Sequence, residues 1–190
     1  LLVAGVDELD PVKFDGDYFY LATRDRVSIT HSALEADPIA TVPLPFDNSY
    51  EYIRGFYLYV AANSKILATL RGGERYFWFA EFMSPWGWSD DTVLDLVDVT
   101  QVESAAVTQT VTIEGAYVNS RRIGDKLYLI TRYTPALDGL VPFASTTEDQ
   151  QNNRQLLADI EVDDVLPTIQ FGDAAPVPLV TSANCFVPAS

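Results

Sequence analysis

The residues able to do chemistry are unevenly spread along the chain. Carboxylates come in short groups: Asp7, Glu8 and Asp10, the alternating pair Asp15 and Asp17, then Asp90-Asp91 and Asp163-Asp164. Oxygen donors of this kind suit calcium, which makes calcium the one cofactor to consider and Asp15 and Asp17 its candidate ligands. None of the groups has the spacing of a calcium loop, and the glycine between Asp15 and Asp17 favours the other reading, a turn that opens a strand. Paired carboxylates also cleave glycosidic bonds when they face each other across roughly 5–10 Å. The single histidine, His31, sits in Thr30-His31-Ser32 with no nucleophile elbow around it, so it reads as a surface turn rather than a member of a triad. Cys185, the only cysteine, has no companion for a disulfide within the chain or for a zinc site and reads as a buried structural thiol.

Two features suit binding rather than catalysis. Residues 76–88 are rich in aromatics and hold all three tryptophans, Trp78, Trp86 and Trp88. Tryptophan faces stack on sugar rings or anchor a partner protein because they offer large contact area at low entropic cost. The alternative is a core strand around Trp78 with Trp86 and Trp88 covering its edge. The second feature is Ser120-Arg121-Arg122, where the Arg121 guanidinium would bridge to an acid between structural units or hold an anionic ligand. The excess of carboxylates favours the bridge. Trp78, Trp86, Trp88 and Arg121 are thus the candidate ligand-binding residues, and no residue is assigned a catalytic role.

Charge narrows the partners. The chain of 190 residues carries 27 acidic and 12 basic side chains, a net charge of −15. Such an excess repels a phosphate backbone instead of releasing its counterions, which excludes nucleic acid and disfavours anionic lipid. No apolar run approaches the ~20 residues that span a bilayer. Leu1-Leu2-Val3-Ala4-Gly5 lacks the basic and apolar regions of a signal peptide. What remains is a protein or a polysaccharide.

The elements that must position these residues are strands. The apolar share, 48%, leans on Val, Ile, Leu, Tyr and Phe, which fit a pleated surface. A glycine followed by tyrosine-rich alternation recurs three times: Gly16-Asp17-Tyr18-Phe19-Tyr20-Leu21, Gly55-Phe56-Tyr57-Leu58-Tyr59-Val60 and Gly124-Asp125-Lys126-Leu127-Tyr128-Leu129. Each reads as a turn glycine opening a strand buried on both faces or nearly so, with a second strand reaching back. Those second strands are Arg26-Val27-Ser28-Ile29-Thr30 and Lys65-Ile66-Leu67-Ala68-Thr69-Leu70, with Arg24-Asp25 and Asn63-Ser64 as the turns. The first two glycines are 39 residues apart, close to the roughly 40–45 residues of a four-stranded propeller blade. The next step, 69 residues, is too long unless 71–91 is an insertion, which would then contain every tryptophan. Val93-Leu94-Asp95-Leu96-Val97-Asp98-Val99 and Ala106-Val107-Thr108-Gln109-Thr110-Val111-Thr112-Ile113 supply two outer strands. A helix of one or two turns is expected in 149–159, and surface loops over 135–153 and 172–178.

Four segments carry a resemblance. Gly5-Val6-Asp7-Glu8-Leu9-Asp10-Pro11-Val12-Lys13-Phe14-Asp15-Gly16 is followed by an aromatic strand, Asp98-Val99-Thr100 precedes another, and Glu114-Gly115-Ala116-Tyr117-Val118-Asn119-Ser120-Arg121-Arg122-Ile123-Gly124 leads into a third. The fourth is Val165-Leu166-Pro167 with Ser182-Ala183-Asn184-Cys185 further on. In this order they resemble the secreted archaeal and bacterial proteins with a carboxy-terminal β-propeller distantly related to WD40 repeats; Pro11 replaces the usual isoleucine. The resemblance implies an all-β fold of β-propeller-type antiparallel blades, an exported or cell-envelope location, and no characterised reaction. It also implies a longer protein, of which residues 1–190, read as a single domain, would supply about three blades of a partial propeller. A ring of four to eight blades does not close from three. The expected function is a non-catalytic scaffold that binds a protein or a cell-surface polymer. The alternative is a carbohydrate-active hydrolase with acidic residues at the propeller face.

Overall fold

In the computed structural model, which describes residues 6–33, 37–46, 51–73, 91–135 and 137–184, the alternating stretches pair as antiparallel strands. In chain order they are β1 (Val6–Asp7), β2 (Val12–Phe14), β3 (Tyr18–Ala22), β4 (Arg26–His31), β5 (Ala40–Pro43), β6 (Glu51–Ala61) and β7 (Ser64–Gly73). Then follow β8 (Thr92–Asp98), β9 (Ala106–Ile113), β10 (Ala116–Ile123), β11 (Lys126–Arg132), helix α1 (Thr147–Asp159), β12 (Thr168–Phe171) and β13 (Val177–Pro178). They form three sheets. The first is the four-stranded meander β2-β3-β4-β5; the central sheet runs β6-β7-β8-β9 and is extended by β12 and β13; the third has the order β1-β10-β11. This is an all-β fold of antiparallel blades, a partial propeller, with one α-helix among the described residues.

The two faces of the central sheet follow from its registers. Leu58, Leu67, Val97 and Val107 stand opposite one another, as do Phe56, Thr69 and Asp95, and this face packs against Tyr20, Val27, Ile29 and Val42 of the first sheet. The other face carries Tyr57, Ala68 and Leu70, which meet Tyr117, Leu127 and Leu129 of the third sheet. A sheet covered on both sides needs apolar residues at consecutive positions, and Phe56-Tyr57 in β6 meets that need: both side chains are fully buried. The stack is therefore first sheet, central sheet, third sheet.

Several expectations change. Only the second copy of the glycine-tyrosine signature is buried on both faces; in β11 exposed and half-buried residues alternate strictly, and β11 pairs only with the preceding β10. Gly16 (φ 108°) and Gly124 (φ 62°) are turn glycines, but Gly55 lies inside β6. Its role is close approach: a Cβ there would sit 2.8 Å from the Asp10 carbonyl oxygen, which accepts a hydrogen bond from the Phe56 amide. Of the insertion expected at 71–91, residues 71–73 are strand, because β7 runs to Gly73, and 74–90 lie outside the described residues. Arg71 is a buried strand residue whose Nε donates to Asp95 at 2.7 Å, while Thr110 Oγ1 donates to the other oxygen of Asp95 at 2.6 Å. The β6–β7 turn is Ala62-Asn63, with Ser64 already in the strand. His31 ends β4 at the surface, edge-on to Tyr18.

Helix α1 is longer than expected, thirteen residues, and begins inside the stretch expected to be loop. Thr146 explains its start, since its side chain accepts from the Asp149 amide and Glu148 and Asp149 favour the positive end of the helix. The helix buries no residue, which is why its apolar pattern was weak. The supposed loop at 172–178 closes with β13.

Candidate functional site

The acidic opening of the chain forms a strap across all three sheets. Val6 pairs with Ile123 of the third sheet, Asp10 bridges to Phe56 at the edge of the central sheet, and Val12 pairs with Leu21 of the first. Seven residues thus touch three blades. Lys13 holds the strap in shape: its ammonium donates to Asp7 Oδ1 (2.8 Å), to the Glu8 carbonyl (2.8 Å) and to Asp10 Oδ2 (2.9 Å), and lies over the Tyr57 ring. Glu8 meets Arg121 at 3.4 Å. The acids Asp7, Glu8 and Asp10 therefore work as counter-ions for cations from other strands.

Asp15 is a second hub. Oδ1 accepts from the backbone amides of Asp17 (3.0 Å) and Tyr18 (2.8 Å), the turn geometry that lets Gly16 take its positive φ. Oδ2 accepts from the Tyr20 hydroxyl at 2.8 Å and from Lys65 Nζ at 2.6 Å, so the first and central sheets are joined through one carboxylate. The Asp15 side chain is 1% exposed. Burial works against its charge, but the bond from Lys65, the two amides and the Tyr20 hydroxyl outweigh that and bring its pKa down to about 2. Burial, and then the bond to Asp15, push the Tyr20 phenol well above its ordinary value. For calcium to use Asp15 it would have to displace the Lys65 ammonium; Asp17 contributes backbone atoms to this turn.

The junction of the central and third sheets is polar and open. Ser120 Oγ lies 2.8 Å from the Tyr57 hydroxyl and 2.9 Å from that of Tyr117. Arg122 stacks over the Tyr59 ring, donates through Nη1 to the Leu58 carbonyl, and points Nε toward Asp7 Oδ2 at 3.9 Å. That Nε is buried without a hydrogen-bond partner among the described residues. Beside it lies a cleft of about 340 Å³, where Arg122 and Asp125 share the wall with Tyr59, Val60, Ser64 and Ile66. Burial raises the Tyr59 phenol, although Arg122 pulls the other way. A guanidinium, a carboxylate and a hydroxyl around an apolar patch can orient a small polar group.

The chain matches a family described as the β-propeller domain over residues 1–190. It belongs to that family. No curated protein and no solved structure gives a match. Of the predicted ligand-binding residues in this propeller domain, Arg121 alone is among the described residues. Arg121 pairs with Glu8 at 3.4 Å, but the contact lies within the third sheet, because Glu8 directly follows β1, the strand paired with β10, and not between blades. Trp78, Trp86 and Trp88 lie outside the described residues, as does Cys185. Among the described residues no three His, Cys, Asp or Glu side chains gather as a metal site, and no helix is long and apolar enough to cross a membrane. Sequence reasoning singled out Arg121 and passed over Arg122, although strand alternation puts only one of two neighbours toward the junction. The only signal in the sequence was the doublet itself.

Proposed function

We propose that this propeller domain is a non-catalytic scaffold of an exported or cell-envelope protein, and that it binds a cell-surface polymer or a partner protein. The observation that carries the reading is the engagement of the buried and half-buried acids: Asp7 with Lys13, Asp15 with Lys65, and Asp95 with Arg71. A general acid in a glycosidase needs a raised pKa and an open face toward substrate, whereas Asp15 is lowered and covered. The test is a glycan array with simultaneous assay of reducing ends, run on the chain and on Trp86→Ala. The reading expects saturable binding, weakened tenfold or more by the substitution, without new reducing ends. Release of reducing ends would make the protein a hydrolase, and binding indifferent to the substitution would move the contact away from the aromatic segment.

A further inference from the structure

The cleft beside Arg122 is the open mouth of the second junction, and both of its walls come from strands already described. Cross-strand pairs set one wall: Tyr59 stands opposite Ile66 and Ala61 opposite Ser64, so these four side chains share the face of the β6–β7 hairpin that meets the third sheet. The other wall is the β10–β11 hairpin, where Arg122 lies near the end of β10 and Asp125 stands in the turn that Gly124 opens with φ 62°. One cation and one anion thus face an apolar floor. The guanidinium is held in place, stacked over the Tyr59 ring and bonded to the Leu58 carbonyl, yet its Nε has no hydrogen-bond partner among the described residues. Asp7 Oδ2 stays 3.9 Å away while Lys13 holds the other oxygen of Asp7. The Asp125 carboxylate and the Tyr59 and Ser64 hydroxyls likewise make no hydrogen bond among the described residues. Burial raises the Tyr59 phenol, so its hydroxyl keeps its proton at neutral pH.

We infer that this cleft binds a small zwitterion, a free α-amino acid with an apolar side chain, its carboxylate on Arg122, its ammonium on Asp125 and its side chain on Ile66 and Ala61. Charge selects the class. A ligand with only a carboxylate would bring it beside Asp125, in a chain of net charge −15, and a ligand with only an ammonium would meet the fixed guanidinium. Each sets like charges together, which costs affinity. A zwitterion answers both wall charges and carries no net charge to be repelled. Size selects within the class: about 340 Å³ is at the lower end of the roughly 300–1,000 Å³ of ligand pockets, room for a monomer rather than a length of polymer. The Tyr59 and Ser64 hydroxyls supply further hydrogen bonds, which two charged groups need once water is displaced.

Chemical-shift titration of the 190-residue chain tests this with three probes: L-leucine, 4-methylpentanoate, which lacks its ammonium, and 3-methylbutylamine, which lacks its carboxylate. Leucine should bind saturably with a Kd of about 1 mM or below, and loss of either charge should weaken binding tenfold or more. Asp125 is an exposed turn residue, so Asp125→Asn keeps a turn-forming side chain and removes only the charge. In that variant leucine should weaken tenfold or more, and its preference over 4-methylpentanoate should fall toward one. Arg122→Gln should weaken both carboxylate-bearing probes, with circular dichroism verifying the fold; should that variant not fold, the probe series and Asp125→Asn still decide. Absence of saturable leucine binding up to roughly 10 mM overturns the inference. So does 4-methylpentanoate binding as tightly as leucine, or leucine binding indifferent to Asp125→Asn. The carbohydrate reading rests on the aromatic segment and the Trp86→Ala comparison, so either reading can fail without the other.

Discussion

The two junctions of the stack are built from different materials. Between the first and central sheets lies an apolar core of Tyr20, Val27, Ile29, Val42, Ile53, Phe56, Leu67 and Val97, sealed at one end by the Asp15–Lys65 pair. Between the central and third sheets the fully buried apolar set shrinks to Tyr57, Ala68 and Leu70, and hydroxyls and a guanidinium supply the rest. Apolar packing is non-directional and fills space; hydrogen bonds fix a register and leave gaps wherever donors and acceptors do not reach. The cleft beside Arg122 is such a gap. Stability is thus concentrated at the first junction, and room for a ligand at the second.

The hardest way to break that comparison is to empty the apolar side. Phe56→Ala removes a fully buried ring at the centre of the first junction and should cost about 3–5 kcal/mol, measured by denaturant unfolding with a common slope. If the loss were below ~1 kcal/mol, the first junction would not be the stable one.

The polar seal of the same junction is sharpened by pH. Asp15 has a folded pKa of about 2 against an ordinary 3.8, so the folded state favours its ionised form. The resulting stability, about 2 kcal/mol, is fully present above roughly pH 4 and is lost as the pH falls toward 2. Asp15→Asn should cost about 1–3 kcal/mol at neutral pH, because it leaves the partly buried Lys65 ammonium without its charge partner. It should also flatten the stability curve between pH 4 and 2. An unchanged acid limb in the variant would show that other carboxylates govern the transition.

How much of this was legible depended on the distance between partners. Strands β3, β4, β8 and β9 were plain because alternation is local, and Arg24-Asp25 marked its hairpin for the same reason. Gly16 and Gly124 were read correctly as turn residues from their position before an alternating run. Gly55 looks identical in sequence, yet its glycine is required by the Asp10 backbone, 45 residues away, and nothing local records that. The same limit hid the strap: Val6 pairs with Ile123 across more than a hundred residues. It hid β12 as well, a short segment that becomes a strand by joining β9. The charged residues show the effect most clearly. Asp15, with Asp17, read as a candidate calcium ligand, and Asp7, Glu8 and Asp10 as further oxygen donors, while the partners Lys13, Lys65, Arg121 and Arg122 could not be placed, and chemistry assigned to half of an ion pair is incomplete.

At the second junction the effects should be smaller. Tyr57→Phe deletes one hydroxyl and leaves Ser120 its contact with Tyr117, so a loss near 1 kcal/mol is expected by thermal unfolding. A loss matching Phe56→Ala would mean that the hydroxyl chain, not the apolar core, holds the stack together.

The smallest effect belongs to the residue that sequence alone brought forward. Arg121 and Glu8 are 43% and 56% exposed, and a pair so open to water contributes roughly 0–1 kcal/mol. Arg121→Ala also removes a cation from a chain of net charge −15, which destabilises the fold slightly whether or not Glu8 is present. A double-mutant cycle with Glu8→Gln separates the two contributions: the coupling energy should be below about 0.5 kcal/mol and should shrink with added salt, while the charge effect persists in the Glu8→Gln background. A coupling above ~1 kcal/mol that resists salt would make this bridge a structural tie equal to Asp15–Lys65, clamping the strap to the outer face of the third sheet.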